Sequence, residues 1–350
     1  MLLCGRVPVI SLQERPMPSF VTFGETMVQY NAAYHGPYDP DGKHLADVAG
    51  AESNVAVNLQ RVSEGKITTT WISRLGDDEA GKLVRQYLSP KTTVIAPLLK
   101  GEKTGISFLN HYHTELLEDQ HVKVYEREGS AASKLSYEDV EEHIAHADIV
   151  HFTGITPALS RTCHDTVVRA MKKCDSLGIP VCLDVNYRAQ LWSPNEAKNV
   201  LQSLIPLVSI FKLGHDEAET IWGESLSATQ YAKRFHTKPG QISIVTKGSS
   251  GAILFDGQNL ITQKSLPVDV IDPVGAGDAF VAGFLSGLFD QKISLKSILA
   301  MEPEKRKELL AQAIRIGNIC GALTCTRRGD TSAMPDPTEV ENHLNLIKWR

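Results

Sequence analysis

The chain has 350 residues, of which 42% are apolar and 22% charged, and a formal net charge of −5. These are the values of an ordinary globular protein; they exclude a fibrous repeat or a wholly disordered chain, and with no basic stripe they argue against nucleic acid and anionic membranes as partners. Six cysteines, at 4, 163, 174, 182, 320 and 325, form no C-x-x-C pair and read as reduced, packed thiols of a cytoplasmic protein.

Residues 1–18 lack the basic start, long apolar centre and cleavage site of a secretory signal, and read as an N-terminal extension. Ser19 to Phe23, ending at Gly24, is predicted as a buried strand. Between Met27 and Val48 glycines and prolines break any helix. Gly50 opens a predicted helix over Ala51 to Val62, whose Val55, Leu59 and Val62 form one stripe. Ile67 to Ser73 reads as a strand, and Gly76-Asp77-Asp78 leads into a helix ending at Leu88.

From Gly101 to Tyr125 the pattern changes. Ile106, Phe108, Val122 and Val124 alternate with polar residues, as in antiparallel strands with one wet face. Such an insertion is a candidate lid. Alternation of buried strands and helices then resumes. Strands are predicted at Asp148 to Thr153, Val181 to Val185, Val208 to Leu213 and Ile242 to Thr246. The intervening helices are placed at Ser136 to His146, Arg161 to Leu177, Asn195 to Leu204 and Ala228 to Phe235. The class is therefore α/β, a doubly wound, mostly parallel sheet that binds ligands at the carboxyl ends of its strands. A last long helix spans Glu304 to Thr324, followed by a terminating loop through Arg328-Gly329-Asp330 and Pro335.

Asp272-Pro-Val-Gly275-Ala276-Gly277-Asp278-Ala-Phe280 runs from a two-glycine turn into a helix. Its free backbone N–H groups form an anion site that the glycines leave open to a phosphate. A carboxylate there repels an anion unless it has a chemical task, and the task that fits Asp278 is general base toward a hydroxyl.

Val245-Thr246-Lys247-Gly248-Ser249-Ser250-Gly251 is either a nucleotide-phosphate loop or a plain β-turn between strands. Neither a Walker A sequence nor G-x-G-x-x-G after a strand is present. Asp184-Val185-Asn186-Tyr187-Arg188 leaves the carboxyl end of a strand, where Arg188 is suited to bidentate grip of an anion. Tyr125 and Arg127 share one strand face. Arg127 and Arg188 would clamp one anion from two sides, or else are independent surface arginines. His111 and His113 have the spacing of a metal pair but no evident third ligand.

Three of these stretches together resemble the PfkB (ribokinase-like) carbohydrate kinases: the Asp272 to Phe280 signature, the Val245 to Gly251 turn, and Gly50-Ala-Glu-Ser-Asn54-Val-Ala-Val57. The match runs from Ser19 to Leu344. The resemblance implies one kinase domain over residues 19–345, with a small β lid formed from about 27–48 and 101–128. Within the family, Tyr125-x-Arg127-x-Gly129-Ser130-Ala131 is most similar to 2-dehydro-3-deoxygluconate kinases. Asp184-x-Asn186-x-Arg188-x-x-Leu191-Trp192 is shared with fructokinases.

What the resemblance implies is ATP-dependent phosphorylation of the terminal hydroxyl of a small sugar acid. Asp278 would be the base, and the amides of Gly275, Ala276, Gly277 and Asp278 would hold the transferring phosphoryl group. Gly50, Asn54, Tyr125, Arg127 and Arg188 would bind the sugar acid. ATP would be held by Asn186, Thr246, Gly248, Ser249, Gly251 and Asn318. Mg²⁺ would be organised through Glu217, with room for a monovalent cation, and the protein would be a homo-oligomer, a dimer or higher. A neutral-sugar kinase such as a fructokinase, and a non-catalytic sugar or nucleotide sensor, are the alternatives. Two positions depart from the family: Ser107 stands where these kinases often carry a substrate-touching tyrosine, and Gly214 replaces the asparagine of Asn-x-x-Glu.

Overall fold

A computed structural model describes residues 17–114, 117–289 and 294–346. Residues 1–16 of the expected extension, and the side chains of His111 and His113, lie outside the described set. The strands are β1 (Ser19–Phe23), β2 (Met27–His35), β3 (His44–Ala49), β4 (Thr68–Ile72), β5 (Leu75–Gly76), β6 (Thr93–Ile95), β7 (Leu98–Leu99), β8 (Ile106–Thr114), β9 (Leu117–Glu126), β10 (Ile149–Thr153), β11 (Val181–Asp184), β12 (Ile210–Gly214), β13 (Ile242–Thr246), β14 (Ala252–Phe255) and β15 (Leu260–Gln263). The helices are α1 (Ala51–Val62), α2 (Glu79–Leu88), α3 (Glu141–Ile144), α4 (Thr156–Leu159), α5 (Arg161–Leu177), α6 (Pro194–Leu204), α7 (His215–Trp222), α8 (Ala228–Arg234), α9 (Ala276–Phe289), α10 (Leu295–Leu299), α11 (Pro303–Thr324) and α12 (Pro337–Leu346).

Nine strands form the main sheet in the order β15-β14-β13-β12-β11-β10-β1-β4-β6. Pairing is parallel from β13 through β6, and β14 and β15 add an antiparallel edge. Side chains alternate across the sheet with period two. Phe20, Cys182, Ile210, Ile242 and Ile244 pack with residues of α1, α9 and α11. Val21, Phe23, Leu183, Phe211 and Leu213 pack with residues of α5, α6, α7 and α8. A strand buried on both faces must be apolar on both, which is why the sequence shows unbroken apolar runs there.

A second, four-stranded sheet, β3-β2-β8-β9, is the small lid. Within the Gly101 to Tyr125 segment β8 and β9 pair antiparallel, as expected; β2–β3 is antiparallel as well, and β2 joins β8 in parallel. The expected helix over Ser136 to His146 is corrected. It breaks into a 3₁₀ turn at 137–139 and the four-residue α3. Asp139 Oδ2 there takes the amide and hydroxyl of Ser136 at 2.7 and 3.1 Å, local bonds that compete with a regular helix. The terminal loop gives way to α12. Asp336 and Glu339 cap it reciprocally, Glu339 N donating to Asp336 Oδ1 at 2.8 Å and Asp336 N to Glu339 Oε2 at 2.9 Å.

Helix α9 is held by α11 at close range. A Cβ on Gly283 would stand 2.7 Å from Cys320 Sγ, and one on Gly321 would stand 3.0 Å from the Ala276 carbonyl oxygen. Small residues on both helices therefore let the backbones approach and fix the start of α9 over the carboxyl ends of the strands.

Candidate active site

Asp278 lies in the first turn of α9, buried, with its two carboxylate oxygens held by amides from distant parts of the chain. Asn54 Nδ2, on α1, donates to Oδ2 at 2.8 Å, and Asn186 Nδ2, just past β11, donates to Oδ1 at 3.2 Å. Asn186 adopts φ +43°, the left-handed region that asparagine tolerates better than most residues. Burial pushes Asp278 up to about 7; the Asn54 hydrogen bond opposes this, and the charges of Asp184 and Asp330 add to it. A base in that range takes a hydroxyl proton near neutral pH.

Gly275 has φ +79°, a turn that L side chains rarely adopt, and it brings α9 in beside Asp330. Being at the first turn, the amides of Gly277 and Asp278 have no carbonyl of the helix to bond and are left as donors, whereas the Ala276 amide, expected to act with them, donates to the Pro273 carbonyl at 3.3 Å. Beneath them Lys212 Nζ, on β12, donates to Asp184 Oδ2 at 2.9 Å. Burial alone would pull Lys212 down, but Asp184 and Glu217 hold it above its ordinary value. Lys212 is thus a fixed positive charge under the α9 terminus.

One cleft, between the lid and this crest, is lined by Gly50, Asn54, Tyr125, Arg127, Arg188, Gly275 and Asp278. The structure therefore brings together all five residues expected to touch sugar with the expected base. Gly50 is required by contact, since a Cβ there would lie 2.5 Å from Thr26 Oγ1. Arg188 donates to the neighbouring Tyr187 carbonyl at 2.9 Å and makes no ion pair among the described residues. Arg127, in contrast, is paired. Its Nε and Nη2 lie 2.6 and 2.5 Å from Oε2 of the buried Glu25, whose Oε1 accepts from Ser130 Oγ.

Three charged cleft residues were not among the expected site residues: Glu25, Lys123 and Asp330. Glu25 follows the carboxyl end of β1, a position the topology marks out. Lys123 shares the period-two face of Tyr125 and Arg127, a signal present in the sequence. Asp330 accepts from Asn54 Nδ2 at 3.0 Å through Oδ2, while its buried Oδ1 has no hydrogen-bond partner among the described residues. Ser107 pairs in register with Tyr125, its hydroxyl buried and likewise without a hydrogen-bond partner there.

The expected nucleotide residues lie along the crest toward β13. Thr246 is the partner of Gly214 in the β12–β13 register. After it the chain turns through Gly248 (φ +51°) and Gly251 (φ +90°), with Lys247 N donating to the Gly251 carbonyl at 2.7 Å, and leaves Ser249 exposed. Asn318, on α11, donates to the Gln263 carbonyl at 3.2 Å. Glu217 takes the amides of Tyr187 and Gly214 at 2.7 and 2.6 Å, which ties the start of α7 to the segment carrying Asn186 and Arg188.

The description "pfkB family carbohydrate kinase" belongs to a sequence-family model that matches residues 17–337. The chain belongs to the pfkB family of carbohydrate kinases. Over 95% of its length it is 30% identical to a 2-dehydro-3-deoxygluconokinase of Thermoproteus tenax, of which it covers 95%. It is 28% identical to a 2-dehydro-3-deoxygalactonokinase of Haloferax volcanii, with 93% of this chain and 96% of that protein covered. A probable fructokinase of Arabidopsis thaliana is 26% identical over 93% of this chain and 95% of its own. Among solved structures, a PfkB protein from Polaromonas sp. superimposes with a TM-score of 0.75 at 25% identity, covering 93% of this chain and 99% of that one. The ribokinase-like fold and membership among the sugar kinases follow from this agreement.

Proposed function

We propose that this pfkB-family sugar kinase transfers the γ-phosphoryl group of ATP to the 6-hydroxyl of 2-dehydro-3-deoxy-D-gluconate. The observation that carries the reading is one cleft lined both by Asp278, raised to about 7 by burial, and by the cationic side chains of Lys123, Arg127 and Arg188. A neutral sugar needs hydroxyl partners and little positive charge; a sugar acid makes use of cations that grip its carboxylate. The names of the relatives from Thermoproteus tenax and Haloferax volcanii point the same way.

In the proposed step the 6-hydroxyl oxygen bonds to the γ-phosphorus as the bridging P–O bond breaks. ADP leaves with that electron pair, and Asp278 receives the hydroxyl proton. The amides of Gly277 and Asp278 and the ammonium of Lys212 sit where charge on the phosphoryl oxygens is stabilised without reorganisation. Gly50 and Asn54 orient the sugar, and Tyr125 floors the lid side. Thr246 to Gly251, Asn186 and Asn318 hold the nucleotide. Mg²⁺, when bound, neutralises phosphate charge. Asp184 Oδ1, buried and without a hydrogen-bond partner among the described residues, fits a role in holding its water shell. Glu217 would join through water, since both its oxygens already accept amides.

The reading includes a homo-oligomer. Val122 and Val124, turned away from the cleft, and Tyr38 are exposed apolar groups on the lid. The test is ADP release by purified protein over 2-dehydro-3-deoxygluconate, its galactonate epimer, fructose and ribose. A kcat/KM for the keto-deoxy acids above that for the neutral sugars is expected, and the reverse order rejects the substrate assignment.

A further inference from the structure

We propose that Lys123 is the specificity residue that admits a carboxylate to the cleft, and that Arg127 acts mainly as a positioning residue. This rests on the reading that the substrate is a sugar acid. Lys123 and Tyr125 share one face of β9 and Arg127, one residue past its end, continues the same alternation, yet their surroundings differ. Arg127 gives Nε and Nη2 to Glu25, and the two side chains are 9% and 1% exposed. That pair is neutral as a unit, withdrawn from solvent and fixed in orientation. A ligand approaching it meets little net charge.

Lys123 is placed otherwise. Its Nζ stands 5.3 Å from the Tyr125 ring centroid, and it makes no ion pair among the described residues. Arg127 Cζ lies 5.0 Å from the same ring centroid, so both cations lie against Tyr125. The ionisable groups lining the cleft are Glu25, Asp278 and Asp330 against Lys123, Arg127 and Arg188. Once Glu25 and Arg127 cancel, Arg188 alone would face two carboxylates, and an anionic ligand would be repelled. Lys123 restores the balance and supplies a second cation for the ligand. An ammonium on a four-carbon stem also adjusts more readily to a carboxylate than a guanidinium fixed in an ion pair.

The experiment measures ADP-release kinetics for the full-length wild type, Lys123→Met and Lys123→Arg, with KM for 2-dehydro-3-deoxygluconate and for ATP determined separately. Wild-type activity on fructose and ribose but not on the acid removes the substrate reading, and this inference with it. With acid activity present, Lys123→Met is expected to raise KM for the acid about tenfold, the worth of one charge-assisted hydrogen bond, with a much smaller change in KM for ATP. Lys123→Arg is expected to restore most of the affinity. An unchanged KM for the acid in Lys123→Met, a rise matched by KM for ATP, or equal impairment of the Met and Arg variants overturns the role of Lys123 while leaving the substrate reading intact.

Discussion

Asn54 Nδ2 holds Asp278 Oδ2 at 2.8 Å across 224 residues of sequence. This hydrogen bond favours the charged carboxylate and so opposes the upward push of burial. Replacing Asn54 by Ala removes that opposition. The acid limb of kcat/KM should then move to higher pH than in the wild type, with turnover at pH 7 reduced. A limb that stays put would show that the amide only positions sugar.

Asp278 itself makes opposite demands on activity and stability. As base it acts when deprotonated, so kcat/KM should fall about tenfold per pH unit below about 7. Its ordinary value is 3.8, so between there and about 7 the folded protein holds a proton that the unfolded chain has released. The stabilisation is complete below the lower value and is lost as pH rises through the higher one. Asp278→Asn should therefore lower kcat by about 10²–10⁴-fold while ATP binding persists. It should also stabilise the ligand-free protein by as much as about 4 kcal/mol above pH 7, more at pH 8 than at pH 5. Asn186 can turn its buried, unpartnered Oδ1 toward the new amide. Urea titrations at the two pH values measure the gain, and a loss of stability at pH 8 contradicts it.

Glu25 and Arg127 make a mostly structural pair, and breaking it should show in stability first. With Glu25 replaced by Gln, the guanidinium keeps a polar neighbour but loses its counter-charge in a dry site; a cost of about 3–5 kcal/mol is expected. Chemical denaturation checks this. A cost under about 1 kcal/mol would place the pair among solvent-screened surface bridges.

The main sheet was legible because strands buried on both faces write unbroken apolar runs, and the helices Ala51 to Val62 and Arg161 to Leu177 fall at the bounds expected for them. The Asp278 turn was legible because glycine, anion site and carboxylate occur within nine residues. What stayed hidden was mostly long-range. Glu25 and Arg127 are paired across 102 residues, and nothing local to either says that one neutralises the other. Helix α7 was hidden for a different reason: its eight residues carry three buried side chains, Ala218, Ile221 and Trp222, too short a stripe to stand out. Helix α12 had a readable start in Asp336-Pro337-Thr338-Glu339, and the glycine–proline content of the preceding loop outweighed it.

The two glycines of the nucleotide turn separate backbone strain from contact. Gly248 has φ +51° and open space where a Cβ would go, so Gly248→Ala should cost only the left-handed strain, about 1 kcal/mol. Gly251 has φ +90° and would drive a Cβ to 2.0 Å from the Gln263 carbonyl oxygen and 2.7 Å from Lys264 C. Those atoms cannot yield alone, because Asn318 Nδ2 donates to the same Gln263 carbonyl and ties it to α11. Gly251→Ala should therefore displace the β15 end and the Asn318 amide together. The expected result is an increase in KM for ATP well beyond that of Gly248→Ala, a smaller change in KM for the sugar, and a stability loss of about 1–3 kcal/mol. Equal effects of the two alanines on KM for ATP would mean that the turn's φ angles, and not its packing against Gln263, shape the nucleotide site.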